Sequence, residues 1–186
     1  MMKTFYIKNM VCDRCILSVS NLFEKYDISQ IKLGEVRVSK NIPNYEEKLI
    51  IEKLKKIGFE ILVSKNTILS NKIKSIIVEI INNSNENEFD LKKTLEKHLN
   101  KNYTNLNKIF KEQEKLTIHK YFLMQKMNKA QELLTYGERS IKEIAFVLNF
   151  KSIEHFSRSF KKLFGQSPKS FRTNPKDRIP IDKIIN

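Results

Sequence analysis

Residues 141–172, IKEIAFVLNFKSIEHFSRSFKKLFGQSPKSFR, decide how this chain is read. Two helices that cross through a short turn need a small side chain where they touch, and Ala145 supplies it. On the helix that opens at Ser152, the residues Ile153, Phe156, Phe160 and Leu163 recur at helical spacing on one face. Glu154, His155, Arg158, Lys161 and Lys162 point the other way. One face is built to pack and the other is left free for a polyanion. An exposed cationic face on the second helix of such a pair is what enters a DNA major groove, with the helix N-terminus nearest the base edges.

The same pattern occurs once before, at an offset of 50 residues. DLKKTLEKHLNKNYTNLNKIFK, from Asp90 to Lys111, lies over SIKEIAFVLNFKSIEHFSRSFK, from Ser140 to Lys161, and pairs Leu91 with Ile141, Leu106 with Phe156 and Phe110 with Phe160. Each copy reads as a short helix, a turn and a second helix. The spacing of apolar residues predicts helices at Thr67 to Asn82, Phe89 to His98, Thr104 to Gln113, Thr117 to Thr135, Ser140 to Leu148, Ser152 to Phe164 and Lys169 to Thr173, with a polar loop from Asn82 to Asn87.

The pattern differs before residue 65. Thr4 to Lys8 reads as a strand, Cys15 to Tyr26 as a helix with Ile16, Val19, Leu22 and Phe23 inward, and Gln30 to Ser39 as a hairpin about Gly34. Pro43 opens a second helix that Gly58 closes, and Phe59 to Val63 is a last strand. The order βαββαβ within about 60 residues is that of a ferredoxin-like unit. The expected fold class is therefore α+β: a ferredoxin-like domain at 1–65, an all-α tandem helix-turn-helix domain at 66–174, and a tail at 175–186.

Charge separates the two halves. The chain carries 35 basic and 21 acidic side chains, a net charge of +14, and residues 101–186 hold 18 of the basic and 8 of the acidic groups. A basic excess of this kind attracts nucleic acid or an anionic surface. No stretch approaches the roughly 18 uninterrupted apolar residues of a membrane span, since Lys74, Ser75 and Glu79 break Ile73 to Ile81. Met1 to Met10 carries Lys3 and Lys8 and lacks the pattern of a secretory signal, so a cytoplasmic location with no membrane partner is expected. There is no nucleotide-binding loop and no Ser/His/Asp set, so an enzyme is not expected.

The segment from Ile141 to Arg172 closely resembles the signature of AraC/XylS-type transcription regulators: an Ile-x-x-Ile-Ala helix, a Gly-Phe turn, Phe-Ser-Arg-x-Phe-Lys and Phe-Gly-x-x-Pro. Ile141, Ala145, Phe150, Phe156, Arg158, Phe160, Lys161, Gly165, Pro168 and Arg172 fall on it, and the likeness spans roughly residues 67–173. It implies seven helices with two helix-turn-helix units joined by a long helix, here Thr117 to Leu134, and double-stranded DNA as partner. That helix is about 27 Å long, enough to set two motifs near the ~34 Å repeat of one DNA turn. Ser152, Glu154, His155, Arg158, Lys161 and Lys162 are the groove candidates of the second unit, with an ordinary surface histidine as the other reading of His155. Asn149 stands where the family has Gly, and Asn tolerates a left-handed backbone. In the first copy Leu95 replaces the small Ala and Leu99 the Gly. Thr104, Asn107, Lys108 and Lys111 are its groove candidates, for base contact or for phosphate positioning.

Asn9-Met10-Val11-Cys12-Asp13-Arg14-Cys15, between the first strand and first helix, resembles the Gly-Met-x-Cys-x-x-Cys loop of heavy-metal-associated domains, and Gly58-Phe59 is similar to that family as well. The resemblance implies two thiolates, Cys12 and Cys15, holding Cu(I) or another soft metal ion at a helix N-terminus, where the helix dipole and Arg14 lower the thiol pKa. Redox sensing by the pair, and thiols kept only as part of the fold, stay open beside it. Two thiolates are too few for a closed zinc site, and Met10 is expected in the core.

The reading that joins these observations is a sequence-specific AraC-type regulator sensing a soft metal through Cys12 and Cys15. The alternative is a metal-binding, chaperone-like or redox-responsive protein whose helical half mediates interactions other than specific DNA binding. A homodimer through the sheet and a monomer both fit the sequence.

Overall fold

A computed structural model describes residues 2–39, 41–83 and 90–174. The chain divides into two compact units, residues 1–76 with 112–115, and residues 77–111 with 116–186.

In the first unit, β1 (Lys3–Lys8), α1 (Asp13–Phe23), β2 (Ile28–Lys32), β3 (Glu35–Val38), α2 (Asn44–Lys56) and β4 (Glu60–Leu62) follow one another, with one turn of 3-10 helix at Glu24–Tyr26. The strands form a sheet in the order β2-β3-β1-β4 with every pair antiparallel. Alternation along β1 buries Phe5 and Ile7, and Phe5 meets Phe23 of α1 at 5.2 Å between ring centroids. Val19, Val36, Val38, Ile50 and Leu54 complete that core.

The first half of α3 (Lys65–Asn83) also belongs to this unit. Its Asn71 amide donates to the Ile7 carbonyl at 3.1 Å, and Lys72 reaches Glu35 at 3.9 Å and the Tyr6 ring at 4.7 Å. Glu35 is 5% exposed and is met as well by Arg37 at 3.0 Å and Lys32 at 4.0 Å, so its buried charge is compensated from three sides. Gly34, at φ +78°, is required twice over. The hairpin needs a left-handed residue there, and a Cβ would lie 2.5 Å from the Asn71 amide nitrogen.

The second unit is helical: α4 (Leu91–Leu99), α5 (Tyr103–Glu114), α6 (Ile118–Tyr136), α7 (Ile141–Val147), α8 (Ile153–Phe164) and α9 (Pro168–Thr173). The starts are set by side-chain caps on the orphan N–H groups of the first turns. Asp90, Thr117, Ser152 and Ser167 each accept from the backbone three residues on, and Ser140 with Glu143 forms a reciprocal capping box. Gly137 and Gly165 end α6 and α8 in the left-handed conformation.

Met127, Ala130 and Leu134 of α6, Ile144 and Ala145 of α7, Leu148 just after α7, the three phenylalanines Phe156, Phe160 and Phe164 of α8, and Phe171 of α9 make one buried cluster. Phe160 is its centre, with ring centroids 5.9 Å from Phe156, 4.7 Å from Phe164 and 5.6 Å from Phe171.

Three expectations change. Asn82 and Asn83 continue α3, while the rest of the expected polar loop, like the tail at 175–186, lies outside the described residues. Ile153 is 37% exposed at the tip of α8, because its first turn extends past the cluster; Phe164 takes the inward place at the other end. In the first copy Leu99 is still helical and the left-handed turn falls on Asn100, φ +48°, leaving a turn shorter than the one around Asn149, φ +53°.

Ala145 is 3% exposed inside the cluster. Ala145→Leu is expected to lower the unfolding free energy by about 1–3 kcal/mol through overpacking, read as a lower denaturation midpoint in urea.

Candidate nucleic-acid interface and cysteine pair

The polar side of α8 is set by its apolar side. With Phe156, Phe160 and Phe164 held in the core, Glu154, His155, Arg158, Lys161 and Lys162 all fall on the exposed side, within an arc of about 120°. Ser152 sits at the start, its hydroxyl accepting from the His155 N–H at 3.1 Å. Glu154 is kept ionised: its own backbone N–H and the Ser152 hydroxyl, with a lesser contribution from the Arg158 guanidinium, hold its carboxyl below the usual range against the opposing effect of burial. The His155 ring rests edge-on against Phe150, 5.6 Å between centroids. Five of the six candidates are therefore gathered on one face of α8, with Ser152 at its N-cap.

An open cleft of about 1010 Å³ adjoins them between the starts of α7 and α8. Arg139, Lys142 and Lys151 line it, and Phe146 stands 62% exposed within it. These cations escaped the sequence reading, although the caps Ser140 and Ser152 mark the two helix N-termini beside them, where backbone N–H groups favour an anion.

In the first helix-turn-helix copy Thr104, Lys108 and Lys111 are exposed on α5. Asn107 is half-buried and turned toward α6, with its Oδ1 accepting from the Ile118 N–H at 2.9 Å. Of the remaining histidines, His98 bonds the Thr94 carbonyl of its own helix at 2.8 Å and His119 is exposed.

Lys126, on α6, is a further residue that sequence reasoning missed. It is 9% exposed, its ammonium donates to the Asn149 carbonyl at 3.0 Å, and burial pushes its pKa down to about 8. The signal was available, since Lys126 stands one helical turn from Phe122 and from Ala130, both buried.

Cys12 is the N-cap of α1, and its carbonyl accepts from the N–H groups of Cys15 at 2.9 Å and Ile16 at 3.2 Å. The two sulfurs are 3.5 Å apart, with Cys12 exposed and Cys15 half-buried. Burial works against ionisation of Cys12. The Cys15 backbone and thiol, the Arg14 N–H and the Arg14 guanidinium outweigh it, and the Cys12 thiol is held below its ordinary pKa. Asn9 adopts φ +71°, and its side-chain amide bonds the Gly58 carbonyl at 2.8 Å, tying the loop to the end of α2. Met10 is buried. Two metal–sulfur bonds of about 2.3 Å span up to about 4.6 Å, so the two thiols lie within reach of one ion. Among the described residues no cluster of three or more His, Cys, Asp or Glu gathers, and none of the described helices is long and apolar enough to cross a membrane.

Residues 95–174 match the family model described as "Helix-turn-helix domain". The chain is 39% identical over 77 residues to the xylose operon regulatory protein of Haemophilus influenzae, covering 41% of this chain and 20% of that one. It is 40% identical over 76 residues to the Msm operon regulatory protein of Streptococcus mutans serotype c, covering 41% and 27%. The chain thus spans about a fifth to a quarter of the length of these relatives. In fold it is similar to the C-terminal domain of AraT, a response regulator from Geobacillus stearothermophilus, with a TM-score of 0.51 and 22% identity over 63% of this chain and 95% of that one. Residues 95–174 thus match a helix-turn-helix domain, and the relatives that this part of the chain resembles are named as operon regulatory proteins.

Two outcomes follow from these ionisations. Alkylation of Cys12 in the reduced protein is expected to fall off only at a pH below that of an ordinary thiol, and Arg14→Gln moves that midpoint upward, measured by mass spectrometry of the modified peptide. Lys126 has a folded pKa near 8 against 10.5 unfolded, so the unfolded chain holds more protons between those values and stability rises with pH across that window. Its burial costs at most about 3 kcal/mol at pH 7. Urea titrations of wild type and Lys126→Met are expected to differ most at or below pH 8 and to converge toward pH 10.5.

Proposed function

We propose that this chain is a sequence-specific DNA-binding transcriptional regulator in which α8 reads the major groove and α5 holds a neighbouring stretch of the duplex. The observation that carries this reading is the division of α8 between a buried phenylalanine face and an exposed face of Arg158, Lys161, Lys162, His155 and Glu154, within the stretch that matches a helix-turn-helix domain; an AraC-type domain is the form that suits it. Arg158 is the candidate for guanine, because its planar fork donates twice to the O6 and N7 edge. Glu154, kept ionised, is repelled by phosphate and suits a cytosine amine. Lys161 and Lys162, a turn further along, suit phosphates, as do Arg139, Lys142 and Lys151 at the helix N-termini. Thr104, Lys108 and Lys111 give the first helix-turn-helix copy a comparable exposed side, and Asn107 serves the α5–α6 turn through its carbonyl oxygen.

The N-terminal unit is proposed as a ferredoxin-like domain of the heavy-metal-associated kind that senses a soft metal ion. The β2-β3-β1-β4 order, the thiol pair at the start of α1 and the lowered ionisation of Cys12 support it. Cys12 and Cys15 would hold the ion, and Cu(I) suits two thiolates without further ligands. Cys12→Ser with Cys15→Ser is expected to abolish tight Cu(I) binding, while duplex binding survives because the helix-turn-helix core contains neither residue. Such a regulator works on cytoplasmic DNA, where thiols stay reduced.

Arg158→Ala is expected to weaken binding to a duplex selected from a random-sequence pool by about 1–3 kcal/mol, measured by footprint titration at fixed salt. Affinity of the wild type should fall steeply with salt. A salt-independent affinity, or an Arg158→Ala variant that binds as tightly as the wild type, would contradict the groove assignment.

A further inference from the structure

An ammonium taken out of water is costly unless something in the fold compensates it. Lys126 occupies a core position of α6, and the contacts its charge makes are a carbonyl and two aromatic faces. The Asn149 oxygen is 3.0 Å away, the Phe150 ring centroid 4.6 Å and the Phe122 centroid 4.9 Å. The three contacts all suit a cation, each presenting negative charge to the ammonium. Carbonyls at a helix C-terminus attract positive charge, and an aromatic face does the same.

Two of those partners form the turn between α7 and α8. Asn149 is the left-handed residue, φ +53°, whose N–H bonds the Phe146 carbonyl at 2.8 Å, and the Phe150 N–H bonds the Ala145 carbonyl at 2.9 Å. Phe150 then passes the contact to the first turn of α8, 5.4 Å from the Phe156 ring and 5.6 Å from that of His155. Asn149 carries a Cβ where glycine would fit the left-handed backbone without cost, so this turn gains from an external hold. Lys126 supplies that hold from a helix that carries none of the candidate base contacts.

We propose that Lys126 is the positioning residue of the second recognition helix: its charge clamps the α7–α8 turn through the Asn149 carbonyl and the Phe150 ring, and so fixes the first turn of α8 in the orientation that reads DNA. The proposal rests on the DNA-binding reading above and adds to it the residue that orients the reading helix. A neutral side chain of similar shape fills the same space and escapes the cost of burying charge, so it keeps or raises stability while releasing the turn. A residue serving only to fill the core would instead lose stability and affinity together.

The test uses the full chain and a duplex selected by the wild type from a random-sequence pool, with poly(dI-dC) as the unselected polyanion. Lys126→Met is expected to melt at or above the wild-type temperature and to bind the selected duplex at least about tenfold more weakly, the loss of one charge-assisted hydrogen bond. Its binding to poly(dI-dC) is expected to be unchanged. Lys126→Arg keeps the charge and stacks on aromatic faces, and is expected to restore the affinity. Wild-type affinity in Lys126→Met, or a parallel loss of melting temperature and affinity, would overturn the clamp. If the wild type itself selects no duplex, the DNA-binding reading fails first. Hydrogen exchange in the free protein then judges the clamp alone: faster exchange of the Asn149 and Phe150 amides in Lys126→Met upholds it, and unchanged exchange overturns it.

Discussion

The structure of the helical unit depends on the burial of Phe160. Its ring touches Phe156 and Phe164 on its own helix and Phe171 on α9, which fixes the rotation of α8 about its axis. Rotation by a single residue, about 100°, would bring polar side chains into the core and turn phenylalanines to water. The exposed arc from Glu154 to Lys162 is therefore a by-product of the apolar packing, and its direction is as well defined as the core behind it. The caps at Ser140, Ser152 and Ser167 fix where each helix begins, so both the rotation and the axial position of α8 are specified.

The N-terminal unit works under a different constraint. Its sheet shows one face to α1 and α2, and on the other the first half of α3 supplies Asn71 and Lys72 to Ile7, Tyr6 and Glu35. The thiol loop lies at the start of α1 and is held by Asn9, whose amide spans to Gly58. The residue that departs from the glycine of the resembling family thus adopts the left-handed backbone the loop needs and adds a bond glycine could not make.

Most of the architecture was legible because it rests on local signals: the period of Phe156 and Phe160, the capping serines, the left-handed Gly137 and Gly165, and the alternation around Phe5 and Ile7. What escaped was decided by tertiary packing. Lys126 reads as a surface lysine by type, and only its place between Phe122 and Ala130 marks it as buried. Asn107 reads as a groove residue by spacing, yet the α5–α6 turn brings the Ile118 N–H to its oxygen. Ile153 has the right period and the wrong axial position, since α8 begins before the core does. In the first copy the turn falls on Asn100, one residue later than in the second, and Leu95 is fully buried where the second copy has Ala145.

The ring contacts of Phe160 reach no further along the chain than Phe156 on one side and Phe171 on the other, whereas the sheet must bring Lys3 to Val38 and Tyr6 to Leu62 before it exists. Chain closure over longer separations costs more entropy before any contact repays it, and contacts close in sequence form sooner. The two units therefore differ in kinetic character. The helical one condenses from neighbours already near one another, and the sheet waits on a search over most of its own length.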